Sequence, residues 1–163
     1  MNDKTKSRSI DTAHFRRVMG RFATGVTVIT AESKGEIRGM TANAFVSASL
    51  EPPLCVVSVA KHTRMHAILL HAGRFGVNIL AAGQEALAGH FAGKPHSALG
   101  DPFTHIDGVP VLADASARIL AEATASHDCG DHTLFVGLIQ AMSADDRPPL
   151  LYHAGRYGAF APL

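Results

Sequence analysis

Ala117-Arg-Ile-Leu-Ala-Glu-Ala-Thr-Ala-Ser126 and Thr133-Leu-Phe-Val-Gly-Leu-Ile-Gln-Ala-Met142 are the longest strand-like runs in the chain. The first alternates in part between apolar and polar residues, and the second is nearly continuous in apolar ones. Each is long enough to cross a whole barrel. Shorter runs flank them. Arg74 to Leu80 precedes them, and Leu150 to Tyr152 and Tyr157 to Phe160 follow.

Further toward the N-terminus, Val26 to Ala31 is rich in β-branched residues, and Ser33 to Glu36 forms a polar turn before the chain resumes at Ile37, which reads as a hairpin. Thr41 to Ser49 and Leu54 to Ala60 make two more strands. Between them Glu51-Pro52-Pro53 removes ladder donors and enforces an extended connection. Three helices are expected. Asp11 or Thr12 caps the first, with Phe15, Val18, Met19 and Phe22 on one buried face and Gly25 at its end. Met65, Ile68 and Leu69 mark the second, and Gln84 to Phe91 the third, with Leu87 and Phe91 on one side. Residues 92–110 read as a long loop. Many strands with few helices exclude a doubly wound parallel sheet and favour a closed or partly open antiparallel barrel.

A chain of 163 residues fits one domain, assigned to 11–163, behind a polar, flexible tail at 1–10. An apolar fraction of 47% against 18% charged residues predicts a packed core, not a disordered chain. The mean hydropathy is positive, high for a soluble monomer of this size, which predicts burial of apolar surface against a second copy. A net charge of +1 without Lys/Arg blocks gives no electrostatic case for nucleic acid or anionic membranes. Cys55 and Cys129 stand without an N-terminal apolar signal segment, so a reducing cytoplasm is expected and a disulfide is not.

No Gly-x-Gly-x-x-Gly string occurs, and Gly89-His-Phe-Ala-Gly93-Lys94 is one residue short of a P-loop. His62 and His66 lie four apart, and Cys129 three before His132, but the second ligand pair of a structural zinc site is missing, so no metal is assigned. What does stand out is Gly39-Met-Thr-Ala-Asn-Ala-Phe-Val-Ser-Ala-Ser-Leu-Glu-Pro-Pro53, dense in small and hydroxyl-bearing residues within strand. Such a wall suits a flavin, whose ring edge is read by backbone groups while its ribityl and phosphate oxygens want hydroxyl and cationic donors.

With this stretch, Phe22-Ala-Thr-Gly-Val-Thr-Val-Ile-Thr30, Ser58-Val-Ala-Lys-His-Thr-Arg64, Phe75-Gly-Val-Asn-Ile-Leu80, Gly130-Asp-His132 and Pro149-Leu-Leu-Tyr-His-Ala-Gly-Arg-Tyr-Gly158 make six blocks in order. By these the chain resembles the flavin reductase family of FMN-binding split barrels, the short-chain reductase components of two-component flavin monooxygenases. The resemblance runs from Phe15 to Phe160. It implies a mainly β fold with a few short helices, an antiparallel split β-barrel of Greek-key type.

It also implies a site. Thr41, Ala42, Asn43, Ser47 and Ala48 would line the flavin ring and ribityl chain, and Ser58, Val59, Ala60, Lys61, Thr63 and Arg64 would hold the phosphate. Val77 and Asn78 would close the pocket, with Phe91 packing near the ring. His132 would sit beside the nicotinamide as the catalytic residue, and Tyr152, His153, Gly155, Arg156 and Tyr157 would form the nicotinamide-side segment. The implied cofactors are FMN or FAD with NADH or NADPH. The implied partners are a second copy in a homodimer and a monooxygenase reached through diffusing reduced flavin. The alternative is a flavin carrier or sensor of the same fold without enzymatic activity.

Overall fold

Thr27-Val-Ile-Thr-Ala31 is buried throughout, and its alternating side chains point into two different packed regions. Ile29 joins Val57, Phe75, Val77 and Phe135 on one side, while Val28 joins Leu80, Leu112 and Leu150 on the other. A strand that separates two cores needs apolar or hydrogen-bonded side chains on both faces, which explains its unbroken run of Val, Ile, Thr and Ala.

The computed structural model describes residues 10–163. In chain order they form α1 (Thr12–Met19), β1 (Thr24–Gly25), β2 (Thr27–Ser33), β3 (Glu36–Ala42), β4 (Phe45–Ser49), β5 (Leu54–Ala60), α2 (Arg64–Ala72), β6 (Arg74–Ile79), α3 (Glu85–Phe91), β7 (Phe103–Ile106), β8 (Val109–Leu112), β9 (Ala117–Cys129), β10 (His132–Ala144), β11 (Leu150–His153) and β12 (Arg156–Ala159). The protein is mainly β, with three short helices among the described residues. Apart from Ile10, the expected tail lies outside those residues. No described helix is long and apolar enough to cross a membrane.

Seven strands form one antiparallel sheet in the order β3-β2-β6-β9-β10-β5-β4, with β1-β11-β12 and β7-β8 as two small satellites. β3 and β4 are the two edges of the large sheet, yet only Asn43 and Ala44 separate them in sequence. The sheet must therefore curl until its edges approach, and no described ladder joins them. The single strand expected over Thr41 to Ser49 is broken at this step. Ala44 turns its carbonyl to the Ser58 N–H at 3.0 Å, which pins the corner to β5.

Two other expectations are corrected. Residues 92–110 are not a plain loop: β7 and the first residues of β8 lie within them, turning at Asp107 and Gly108, both with positive φ. The sequence hides this hairpin because Pro110 interrupts an otherwise apolar run. The first helix forms where its cap predicts, with the Asp11 carboxylate accepting from His14 N–H at 2.8 Å, but it stops at Gly20 instead of Gly25. Its apolar face is not buried. Phe15, Val18, Met19 and Phe22 are between 52% and 75% exposed.

Asn78 ties the layers together. Fully buried on β6, it donates from Nδ2 to the Val28 carbonyl at 2.8 Å and to Thr30 Oγ1 at 3.0 Å, and accepts the Leu112 N–H at 2.8 Å. Asn78→Ala should lower the unfolding free energy by about 2 to 4 kcal/mol, because the Leu112 donor is left unpaired in a dry interior. Urea unfolding reads this directly. A loss below about 0.5 kcal/mol would show that water takes over the bond.

Candidate active site

β5 and β10 pair with His132 opposite Ala60, Leu134 opposite Ser58 and Phe135 opposite Val57. Directly opposed residues point the same way, so the register sorts side chains by parity. Cys55, Val57, Val59, Thr133 and Phe135 go to the interior. Ser58, Ala60 and His132 share the other face. The β9–β10 hairpin turns on Gly130-Asp131, where Gly130 takes φ +63° at the first central position, a conformation that favours glycine.

Over this face opens a cleft of about 860 Å³. Its floor carries Ser58, Cys129 and His132, one wall is the β3–β4 corner from Asn43 to Val46, and the other is α1 with its exit, chiefly Phe15, Met19 and Phe22. The lining is largely apolar, and the size falls within the roughly 300 to 1,000 Å³ of small-molecule sites. Thr24 contributes a buried hydroxyl with no hydrogen-bond partner. A buried polar atom without a partner is costly, and in a cleft wall it marks a place for a ligand's polar edge.

A smaller cleft of about 200 Å³ lies on the far side of the same corner, between Thr41, Ala42 and Asn43 and the rings of Tyr152 and Tyr157. Those rings meet edge to face with centroids 5.5 Å apart. Burial, then Tyr152 and Glu85, push the Tyr157 phenol upward, so it stays protonated and able to donate. Asn43 lines both clefts.

The charged groups cluster at the end of β5, beside the β9–β10 turn. Lys61 Nζ is 3.2 Å from Asp128 Oδ1, and Lys61 N–H donates to the Asp131 carbonyl at 2.9 Å. Arg64, exposed at the start of α2, makes no hydrogen bond or ion pair with the described residues. Thr63 caps α2: its Oγ1 donates to the Ala60 carbonyl at 2.8 Å and accepts the His66 N–H at 3.2 Å. His132 Nδ1 lies 2.7 Å from Asp131 Oδ1, and this bond holds the Asp131 carboxyl below its usual range. His66 instead meets Thr133 Oγ1 at 2.9 Å and stacks its edge on Phe135, a packing role.

The residues expected at the site thus divide. Asn43, Ser58 and His132 meet at the large cleft and Thr41, Ala42, Tyr152 and Tyr157 at the small one, while Ala60 ends β5 opposite His132 and Lys61, Thr63 and Arg64 follow it. His153, Gly155 and Arg156 form the exposed turn between β11 and β12. Others are not brought to either cleft. Val59 has no exposed surface because the alternation of β5 turns it inward, Val77 has none because β6 is buried on both faces, and every polar group of the Asn78 side chain is engaged in the core. Ser47 and Ala48 lie exposed on β4, beside its register shift. Phe91 packs on Gly39, where an added Cβ would come within 2.5 Å of the ring, so it supports β3 from the side of α3. Sequence reading missed the α1 wall, Thr24 and Cys129; the alternation of β9 and the Phe22-Ala-Thr-Gly25 block were the available signals.

Residues 19–161 match the family model described as flavin reductase like domain. The chain is 41% identical over 147 residues to the NADH-dependent flavin reductase of a Rhodococcus species, covering 88% of this chain and 84% of that protein. It is 38% identical over 144 residues to the reductase component of 4-hydroxyphenylacetate 3-monooxygenase from Thermus thermophilus, covering 88% of this chain and 93% of that protein. Among solved structures it is similar to flavin reductase PheA2 in its native state, with a TM-score of 0.90, 40% identity, and coverage of 94% of this chain and 100% of that one.

Thr24→Val removes the unpartnered hydroxyl while keeping its shape. Unfolding stability should stay the same or rise by up to about 1 kcal/mol, since a buried polar atom without a partner is removed. A loss above about 1 kcal/mol in urea unfolding would show that the hydroxyl already has a partner within the protein.

Proposed function

This chain belongs to the flavin reductase-like domain family, and from that membership we propose that it is an NADH-dependent flavin reductase, which reduces FMN or FAD and releases the product to a separate monooxygenase. One observation carries the proposal: a large, mostly apolar cleft with a buried hydroxyl opens beside a histidine, and neither that hydroxyl nor the outer ring nitrogen has a partner among the described residues. Those residues fit a flavin. The apolar walls suit a planar tricyclic ring, Thr24, Asn43 and Ser58 suit its polar edge and ribityl hydroxyls, and the cations at the end of β5 suit a phosphate.

A flavin bound there supplies the hydride acceptor. The work left to the chain is placement, because hydride transfer between two rings needs stacking and no protein nucleophile. Lys61 and Arg64, with the N–H groups that open α2, hold the phosphate, Lys61 turning from Asp128 to do so. Thr63 fixes that loop through its cap instead of donating its hydroxyl. His132 at the cleft floor orients the nicotinamide, and Tyr152, Tyr157, Arg156, His153 and Gly155 carry the rest of the dinucleotide across the small cleft. His132 favours an enzyme over a carrier, since holding a flavin alone gives that nitrogen no task.

Three finer points belong to the same proposal. Consecutive edge strands meeting at Asn43-Ala44 support a split antiparallel barrel of Greek-key type, made by one domain over 11–163. Two unpaired cysteines suit a reducing cytoplasm, where NADH is available. The exposed apolar side chains of α1, some of which line the large cleft, support a homodimer in which a second copy packs against α1 beside the cleft and leaves the cleft open.

Purified protein should oxidise NADH on addition of FMN or FAD; binding flavin without turnover would identify a carrier instead. The double substitution Lys61→Ala, Arg64→Ala should raise KM for FMN tenfold or more, as expected from losing charged hydrogen bonds worth about 1.5 to 3 kcal/mol each, and shift riboflavin less than about threefold. Equal losses for both flavins would remove the phosphate from this loop. Light scattering at micromolar concentration should give about twice 17.2 kDa. A monomer that still turns over would rule out the dimer.

A further inference from the structure

We propose that Asp131 is a positioning residue that fixes the tautomer of His132, so that the ring presents Nε2 to the cleft as a hydrogen-bond acceptor. This rests on the placement of His132 beside the nicotinamide. The geometry begins with the 2.7 Å contact between His132 Nδ1 and Asp131 Oδ1. Asp131 is held below the usual carboxylate range by that bond, so it is ionised at neutral pH and only accepts hydrogen bonds. Nδ1 must then carry the proton. In the neutral ring, Nε2, the opposite nitrogen, then has a lone pair and no partner among the described residues, on a side chain that lines the large cleft. A nicotinamide carboxamide offers the matching donor in its N–H₂ group.

Asp131 is well placed to hold this state. It is the second residue of a tight turn whose first residue, Gly130, has φ +63°, and its carbonyl accepts the Lys61 N–H at 2.9 Å, so its backbone is fixed from both sides. The other charged or titratable groups around the turn are Lys61, bound to Asp128, together with His62 and Cys129, the cross-strand neighbour of His132; none of them hydrogen-bonds or ion-pairs with the His132 ring. Asp131 is thus the one group that chooses the tautomer. The carboxylate is solvent-exposed, which limits the effect to a modest bias and not an all-or-none switch.

The test uses D131N, D131E, H132A and the double variant D131N/H132A in the full chain. The Asn amide both donates and accepts, so it removes the preference for Nδ1–H without removing the side chain. D131N should lower kcat/KM for NADH about three- to tenfold, leave flavin affinity and the urea midpoint unchanged, and add nothing in the H132A background. D131E should recover part of the loss. Nitrogen-15 NMR of the flavin-free protein should show His132 protonated on Nδ1 in the wild type and a mixture of tautomers in D131N. If H132A slows NADH oxidation while D131N does not, or if D131N costs as much with and without His132, the role of Asp131 is overturned and that of His132 stands. If H132A leaves NADH kinetics unchanged, the placement of His132 fails and the proposal falls with it.

Discussion

An antiparallel sheet whose first and last strands are neighbours in sequence cannot lie flat. β3 and β4 are the edges of the seven-stranded sheet, and the two residues Asn43 and Ala44 are all the chain that separates them. Bringing the edges together without a ladder leaves backbone groups at the corner that need partners. Ala44 finds one in the Ser58 N–H, and β3 is covered by α3 through the bond from Thr41 Oγ1 to the Ala88 carbonyl at 2.7 Å. The side facing α1 is left open. That opening is the large cleft, so the incomplete closure of the sheet is what creates the site.

Strand alternation then decides what enters it. β5 and β10 each turn every second residue away from the core, which is why Ser58 and His132 are available to the cleft while Val59 and Phe135 are buried. β6 lies deeper and is buried on both faces, so Val77 and Asn78 are both core. Asn78 matters to the site without touching it. By bonding β2 and the β8 segment at once it fixes the spacing of the sheet on which the corner rests.

Much of this was legible in the sequence wherever a local rule was strong. The Asp11 cap, the period of α1, the β-branched run of β2 and the long pair β9 and β10 each follow from residue pattern alone. What the pattern could not carry was burial. Phe15, Val18, Met19 and Phe22 have the spacing of an inward face, but spacing reports only that a face is apolar, not what covers it. Pro110 and the positive φ at Asp107 masked a hairpin inside an apparent loop. Resemblance grouped consecutive residues such as 58 to 60 and 77 to 78 into one wall, and only the strand register separates those that face the cleft from those that face the core. The partner of Phe91, Gly39, is likewise distant in sequence and identifiable only from the close approach that an absent Cβ permits.

The distribution of charge fits a ligand that must leave as well as bind. A protein that keeps a phosphorylated cofactor surrounds the phosphate with several buried donors that have no other partner. Here Lys61 is shared with Asp128, Thr63 spends its hydroxyl on a helix cap, and Arg64 stands in solvent at the helix start. Each contact to a phosphate must displace an existing bond or compete with water, which offsets part of the affinity that each group would supply. On the proposed placement of the flavin, the apolar cleft would supply ring affinity while the end of β5 would withhold a strong grip on the phosphate. In a reductase whose product serves another enzyme, that division would let the ring be held through hydride transfer and the reduced flavin be released afterward.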